Sequence, residues 1–482
     1  MPPILPQRRR WLATQAVSAM RYDDIHLLSE TIGWAVNSNG QILKTEDGAH
    51  WEQQAQFENI WLRCITMADH QIGWIGSMTG EVYHTTDGRT WQLVSNLPGN
   101  RPGAVCGLHA LGDRKHVFAA GTNDPYQPTR FVCSSDGGEH WTCRSMDDQA
   151  ELLVDIYFEN EHEGWLVGGR SELPTTCRED VFAAVWHTVD GGATWREVVG
   201  EQVALPLGEW GWKIQLVDRD FIVVSLESYE AAAILISDDH GRTWCRREIR
   251  DDRGALINSS VEGTGFLDRQ RGWVSGWGGN RGTHPGRTSM TEDSGRTWRD
   301  VTGEFPSPEV RASSDPILRG QYINRFRVVG DSVYASGNTI YKYTDCPILE
   351  LATNDRATSP WLVPHDVLRA TGGQVAFTIE LPVGARRLHV AIYDRFAIKV
   401  RTVVDDDAPA PGTRKVIWDL ADDRGRRLPG GTYGLRASYD GCSASRMILV
   451  ESGDVDAVAT ASGGTAARPS SGFTMPYRLR GG

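Results

Sequence analysis

Along the first 345 residues the apolar positions fall in short runs bounded by polar turns. Gly33-Trp34, Gly73-Trp74, Gly164-Trp165 and Gly272-Trp273 each sit in such a run, as in IGWIG (72–76) and GWLVGG (164–169). HVFAAG (116–121), FIVVS (221–225) and SVYASG (332–337) fill the corresponding places elsewhere. These runs fit buried inner β-strands.

Six segments downstream of these runs share one pattern: TEDGAHW (45–51), TTDGRTW (85–91), SSDGGEHW (134–141), TVDGGATW (188–195), SDDHGRTW (237–244) and TEDSGRTW (291–298). The string is a hairpin turn. Asp47, Asp87, Asp136, Asp190, Asp239 and Asp293 accept hydrogen bonds from the turn backbone, and glycine permits positive φ. Trp51, Trp91, Trp141, Trp195, Trp244 and Trp298 open the return strand as core anchors. A repeat near forty residues that reads as four short strands cannot bury both sheet faces alone, and radial stacking of copies solves that problem.

Trp11, Trp51 and Trp91 are spaced by forty, so Trp11 stands where a seventh box tryptophan belongs, and residues 9–17 read as an outermost strand. Residues 322–345 supply three strands and stop before any box tryptophan. The N-terminal strand is therefore expected to complete the last unit and remove two exposed edges. The fold expected is all-β: a seven-bladed β-propeller over 1–345 closed by its N-terminal strand, then a linker (346–372) and an Ig-like β-sandwich (373–452). A disordered tail, rich in Gly, Ala and Ser, occupies 453–482.

The formal charge of -12 and pI near 5.6 give no basic footprint for nucleic acid or an anionic membrane. No run approaches the roughly 18 apolar residues of a membrane-spanning helix. Arg8-Arg9-Arg10-Trp11-Leu12 superficially matches a twin-arginine export signal, but the residues after it are weakly apolar and Arg21 interrupts them, so a cytoplasmic location is expected. The eight cysteines lack zinc-type spacing; Cys133 and Cys143 flank a turn, and a reduced pair is expected.

The interval from Gly-Trp to box Trp is 17 residues in the first two repeats but 30 in the fourth and 25 in the sixth. The additions, at about 168–182, 225–232 and 276–290 with a smaller one at 122–130, fall between second and third strands and so crowd one rim. Loops that grow on one face of a rigid scaffold carry recognition. Their Tyr126, Arg130, Arg170, Arg178, Tyr229, Trp277, Asn280, Arg281, His284 and Arg287, with Trp210 and Trp212 beside them, are expected to bind. No nucleophile-base-orienter set, phosphate loop or metal quartet is expected, and no cofactor.

Apolar-Gly-Trp followed by Ile-x-x-Thr-x-Asp-Gly-x-x-Trp resembles the Asp-box (BNR-type) propellers of the photosystem II assembly and stability factor family over about 340 residues. The resemblance implies a non-catalytic scaffold that binds a protein partner. Asp boxes also occur in sialidases and some endoglucanases, so a glycoside hydrolase with a carbohydrate ligand is the alternative. No Phe-Arg-Ile-Pro motif is present, and Arg63, Arg325 and Arg327 are the arginines available to converge.

In the C-terminal region Val416-Ile417-Trp418-Asp419, Asp422-Asp423-Arg424-Gly425 and Leu428-Pro429-Gly430-Gly431-Thr432-Tyr433 resemble the Ig-like module of flagellar hook-capping proteins. That resemblance raises a third reading, a structural subunit of an appendage-like assembly. Asp405, Asp406 and Asp407 read as a solvated loop rather than a cation site. The terminal Arg478-Leu479-Arg480-Gly481-Gly482 resembles the tail of ubiquitin, without a β-grasp domain before it.

Overall fold

The computed structural model describes residues 9–17, 19–258, 260–276, 287–305, 322–344, 362–363, 368–370, 373–394, 398–439 and 442–450. Seven four-stranded antiparallel sheets are followed by a three-stranded and a five-stranded sheet. Six of the seven are consecutive meanders, spanning 22–56, 62–93, 107–145, 152–197, 209–248 and 263–300. The seventh takes Arg325–Val329, Ser332–Ser336 and Ile340–Thr344, then adds Arg10–Ala13 as its outer strand, with Trp11 opposite Tyr343. The innermost strand of each sheet touches those of both neighbouring sheets, and the ring of contacts returns from Arg325–Val329 to Tyr22–Leu27. The chain is all-β and this part of it is a β-propeller. Among the described residues the helical pieces are the short turns Arg178–Asp180 and Thr302–Glu304.

Closure is a packing event as well as a pairing event. The Trp11 ring stacks on Phe305 at 4.4 Å and meets Trp273, Phe326 and Tyr343 at 5.6, 6.0 and 5.4 Å. The first strand thereby fills the seam between the sixth and seventh sheets.

The repeated turn works through its aspartate. Asp87 Oδ1 accepts the backbone N–H groups of Arg89 (2.8 Å) and Thr90 (2.7 Å), and Oδ2 accepts the Thr90 hydroxyl (2.7 Å). Thr85 Oγ1 donates to Asp87 (3.1 Å) and accepts the Gly88 N–H (2.9 Å). Asp190, Asp239 and Asp293 make the same bonds to Thr194, Thr243 and Thr297, whereas His50 and His140 replace that threonine beside Asp47 and Asp136. The backbone N–H of His140 and the Thr194 hydroxyl hold the Asp136 and Asp190 carboxyls down at about 2. Five of the six turn tryptophans are buried, with Trp141 more open.

The Gly-Trp pairs have a steric origin. Gly33, Gly73, Gly164 and Gly272 lie directly opposite Leu27, Met67, Phe158 and Phe266, whose side chains fold over them. A Cβ at these glycines would stand 2.4, 2.2, 2.6 and 2.5 Å from those side chains. Glycine there lets the last inner-strand side chain cover its partner, while Trp34, Trp74, Trp165 and Trp273 face an adjoining sheet.

Beyond the propeller, Val375–Leu381 pairs with Gly412–Trp418 and with Leu362–Val363. The facing sheet runs Leu368–Arg369, Cys442–Val450, Gly431–Tyr439, Leu388–Tyr393 and Lys399–Asp406. Strand Val375–Leu381 alternates buried and exposed positions, and its inner face joins Val390, Ile392, Trp418, Leu435 and Ile448 in one core. The segment read as irregular linker differs from expectation: Leu362–Val363 and Leu368–Arg369 occupy sheet edges that otherwise lack a partner. Arg387 pairs with Asp405 (3.1 Å) and Asp407 (3.4 Å), and Arg414 pairs with Asp406 (2.6 Å). Residues 453–482, with the Arg-Leu-Arg-Gly-Gly end, lie outside the described residues. Cys133 stands opposite Thr142 and Cys143 opposite Val132, which puts the two thiols on opposite sheet faces, and both are free.

Candidate functional site

Alternate inner-strand residues point at the propeller axis, and there they are charged. Arg21 pairs with Asp23 (2.5 Å) and Glu262 (2.8 Å), and Arg63 also pairs with Asp23 (2.5 Å). Arg325 bridges Asp24 (2.9 Å) and Asp155 (2.8 Å); Arg327 reaches Asp24 (3.3 Å), and Lys213 lies 4.0 Å from Asp155. Every sheet but the third contributes. Trp212 packs under the Arg63 and Arg21 guanidinium groups at 4.9 and 5.8 Å.

Removing this many ions from water is costly unless each is matched. Burial pushes the Asp24 and Asp155 carboxyls up, but Arg325, Lys213 and Arg327 together outweigh it and hold both below the usual carboxylate range. Burial and Arg325 together bring the Lys213 ammonium down to about 8. One step along the same strands, burial and Arg327 lower His26 to about 3 and His109 to about 4, so both are neutral at physiological pH. His109 stacks on Tyr157 at 4.5 Å and accepts the Phe158 N–H (2.6 Å). Among the described residues each axial carboxylate faces a cation, while Arg63 Nε and Nη2 and Lys213 Nζ have no hydrogen-bond acceptor.

At the end of the axis away from the aspartate turns, the enlarged loops brace one another. Arg178 donates to the Asn123 carbonyl in the neighbouring sheet's loop and lies 5.3 Å over the Trp210 ring. The Val181 carbonyl accepts the Gly208 N–H (2.7 Å), and the Tyr229 ring packs on Trp210 at 5.6 Å. Tyr126 reaches the same loop beside Thr176. The result is a fixed shelf across the third, fourth and fifth sheets, from which Tyr126, Leu173 and Leu207 project 50%, 78% and 62% exposed.

The residues expected to touch a partner therefore divide. Trp210 and Trp212 are completely buried and Arg178 nearly so: they build the shelf, and no direct contact runs through them. Arg130 is tied to Asp147 (2.7 Å) and Arg170 lies 3.8 Å from Glu197 and over the Phe182 ring. Tyr126 is open, Tyr229 is partly covered, and Arg287 is exposed and paired with Asp300 (2.8 Å). Trp277, Asn280, Arg281 and His284 lie outside the described residues. Leu173 and Leu207 went unnoticed in the sequence because a single exposed leucine carries no pattern. The axial charges were legible in part: Arg63, Arg325 and Arg327 stand out near strand starts, whereas their partners Asp23, Asp24 and Asp155 went unnoticed although they occupy the same kind of position.

Part of the rim is covered by the chain itself. The sandwich packs on the same face over the first, second and seventh sheets, where Met20, Trp61, Tyr322 and Met447 form one cluster flanked by Met78 and Tyr393. Ser445 Oγ accepts the Met20 N–H (2.9 Å) and lies 3.0 Å from Ser38 Oγ, and Ser438 donates to Asn59 (2.6 Å). Trp61 also donates to Asp23 (2.5 Å), which connects this contact to the axial charges. The physical reason is length: the loops of the first two repeats are short, and the apolar side chains at their ends need cover.

No family model matches the sequence, and no curated protein matches it. Among solved structures it is similar to "YCF48 bound to D1 peptide", with 17% identity over 70% of this chain and 97% of that one and a TM-score of 0.47. It is similar to the GH74 enzyme of Niastella koreensis, with 12% identity over 90% of this chain and 74% of that one and a TM-score of 0.50. The fold is that of the β-propellers. The GH74 xyloglucanase of Xanthomonas campestris aligns at 13% identity over 91% of this chain and 81% of that one, again with a TM-score of 0.50. At such identities the likeness concerns fold and leaves function to the residues of this chain.

Proposed function

We propose that this protein is a non-catalytic scaffold, an Asp-box propeller with an Ig-like module, that binds a protein segment on the shelf formed by its third, fourth and fifth sheets. The observation that carries this reading is preorganisation. Buried Arg178, Trp210 and Val181 lock three loops together, and the apolar side chains of Tyr126, Leu173 and Leu207 stand out from them into solvent. A surface ordered before binding loses little entropy on association. Loops left unbraced would not need so much buried aromatic support.

Glycoside hydrolysis on the same face is the competing reading. It requires two carboxyl groups flanking a sugar, one of them free to give and take a proton. Asp23, Asp24, Asp155 and Glu262 are instead held in ion pairs, and Glu209, although burial raises its carboxyl, is gripped by Arg246 at 2.7 Å. This favours binding over chemistry.

The test is affinity capture from cell extract with the full chain and with a Tyr126→Ala/Leu173→Ser/Leu207→Ser variant. The proposal expects a protein enriched by the first and lost by the second at unchanged circular dichroism; equal recovery overturns it. Release of reducing ends from xyloglucan or free sialic acid from a sialoside would favour the hydrolase instead.

A further inference from the structure

On the opposite face of the propeller, away from the shelf, two imidazoles and two carboxylates converge from separate segments. Glu159 and Glu163 flank the turn between the first two strands of the fourth sheet, His187 lies on that sheet's third strand, and His240 lies in the aspartate turn of the fifth. His240 Nε2 is 2.8 Å from Glu159 Oε1 and 4.0 Å from Glu163 Oε1, and His187 Nε2 is 3.0 Å from Glu163 Oε1. All four side chains are partly buried yet reachable from solvent.

From this geometry we infer a zinc-type divalent cation site with Glu159, Glu163 and His240 as ligands, a water completing the tetrahedron and His187 holding Glu163 from outside. Zinc takes nitrogen and oxygen donors tetrahedrally at about 2.0 to 2.2 Å, which sets the donors about 3.3 Å apart. The observed spacings bracket that edge, so small side-chain rotations admit the ion. The ligands are also oriented from behind. Trp165 Nε1 donates to Glu159 Oε1 (3.0 Å), and the His187 ring stacks on Trp165 at 4.0 Å. Outer contacts of this kind fix metal ligands in place.

The backbone of His240 supplies a second argument. Its φ is +60°, at the turn position where Gly48, Gly88, Gly137 and Gly191 have φ of 75°, 67°, 77° and 70° and the small Ser294 has 64°. A large side chain in that conformation is disfavoured relative to glycine, and here it aims an imidazole across the sheet interface at Glu159. A bound ion would join the fourth sheet to the fifth. The cluster of Asp136, Glu139 and His140 contrasts with it: all three are exposed, and His140 only repeats the local pairing of His50 with Asp47.

The experiment uses the full chain stripped with a chelator and titrated with zinc chloride, then with cobalt chloride. The expected result is one equivalent bound and a cobalt visible spectrum of tetrahedral intensity without thiolate charge-transfer bands. His240→Gly, which places glycine where other turns already carry it, should fold normally and weaken zinc binding at least 30-fold; Glu163→Gln should weaken it similarly, and Asp136→Asn should leave it unchanged. Binding of less than one equivalent, equal affinity in His240→Gly, or loss on Asp136→Asn overturns the site.

Discussion

Replacing Trp11 by alanine tests ring closure directly. Trp11 is 2% exposed and its ring touches Trp273, Phe305, Phe326 and Tyr343, so nearly the whole indole is removed from the core. A buried tryptophan covers roughly 200 Å², which at about 25 cal/mol per Å² is near 5 kcal/mol. Alanine at such sites costs about 3 to 5 kcal/mol, a large share of the roughly 5 to 15 kcal/mol of a typical domain. Urea unfolding followed by circular dichroism should therefore show a clearly lowered midpoint, and Trp11→Phe should recover more than half of the loss. The freed edge of Ile340–Thr344 should also promote self-association, visible by size-exclusion chromatography. A Trp11→Ala protein within 1 kcal/mol of the parent would refute the argument that the first strand locks the ring.

Gly164→Ala places a Cβ 2.6 Å from the Phe158 ring and should destabilise by about 1 to 3 kcal/mol, read as a lowered Tm that Phe158→Leu partly restores. His26 and His109 bind protons in the unfolded chain below about pH 6.5, but in the fold only near about 3 and about 4. Stability is therefore level above pH 6.5 and falls as pH drops toward 4, by about 1.4 kcal/mol per pH unit for each histidine. Urea midpoints at pH 7.5, 6.0 and 5.0 should show this fall, and His109→Gln should shallow it. Met447→Asp puts a charge into the contact with Met20, Trp61 and Tyr322 and should free the sandwich from the propeller, raising the radius of gyration in small-angle scattering at unchanged strand content.

The propeller was legible because its rules are local. The aspartate turn needs Thr85, Asp87 and Gly88 within four residues, and Gly73 and Trp74 adjoin Met67 after one tight turn. Closure was legible as well, because the spacing of Trp11, Trp51 and Trp91 continues the repeat into a segment without a box. What no spacing shows is contact between distant elements. Trp210 and Trp212 were expected to bind because they stand beside the enlarged loops, yet both are buried and Arg178, from another segment, covers Trp210. The seating of Met447 on Met20 and Trp61, and the meeting of His240 with Glu159, depend on how the repeats curve and stack.

The pairing of Arg10 with Thr344 and Ala13 with Tyr341 is antiparallel, so the chain before Arg10 and the chain after Thr344 leave the seam at the same end of the seventh sheet. Tension applied through those ends would load the bonds one after another, as in unzipping, and not together, as in shear. The ring would thus open under a small mechanical pull, unless the module seated across the first, second and seventh sheets carries part of the force.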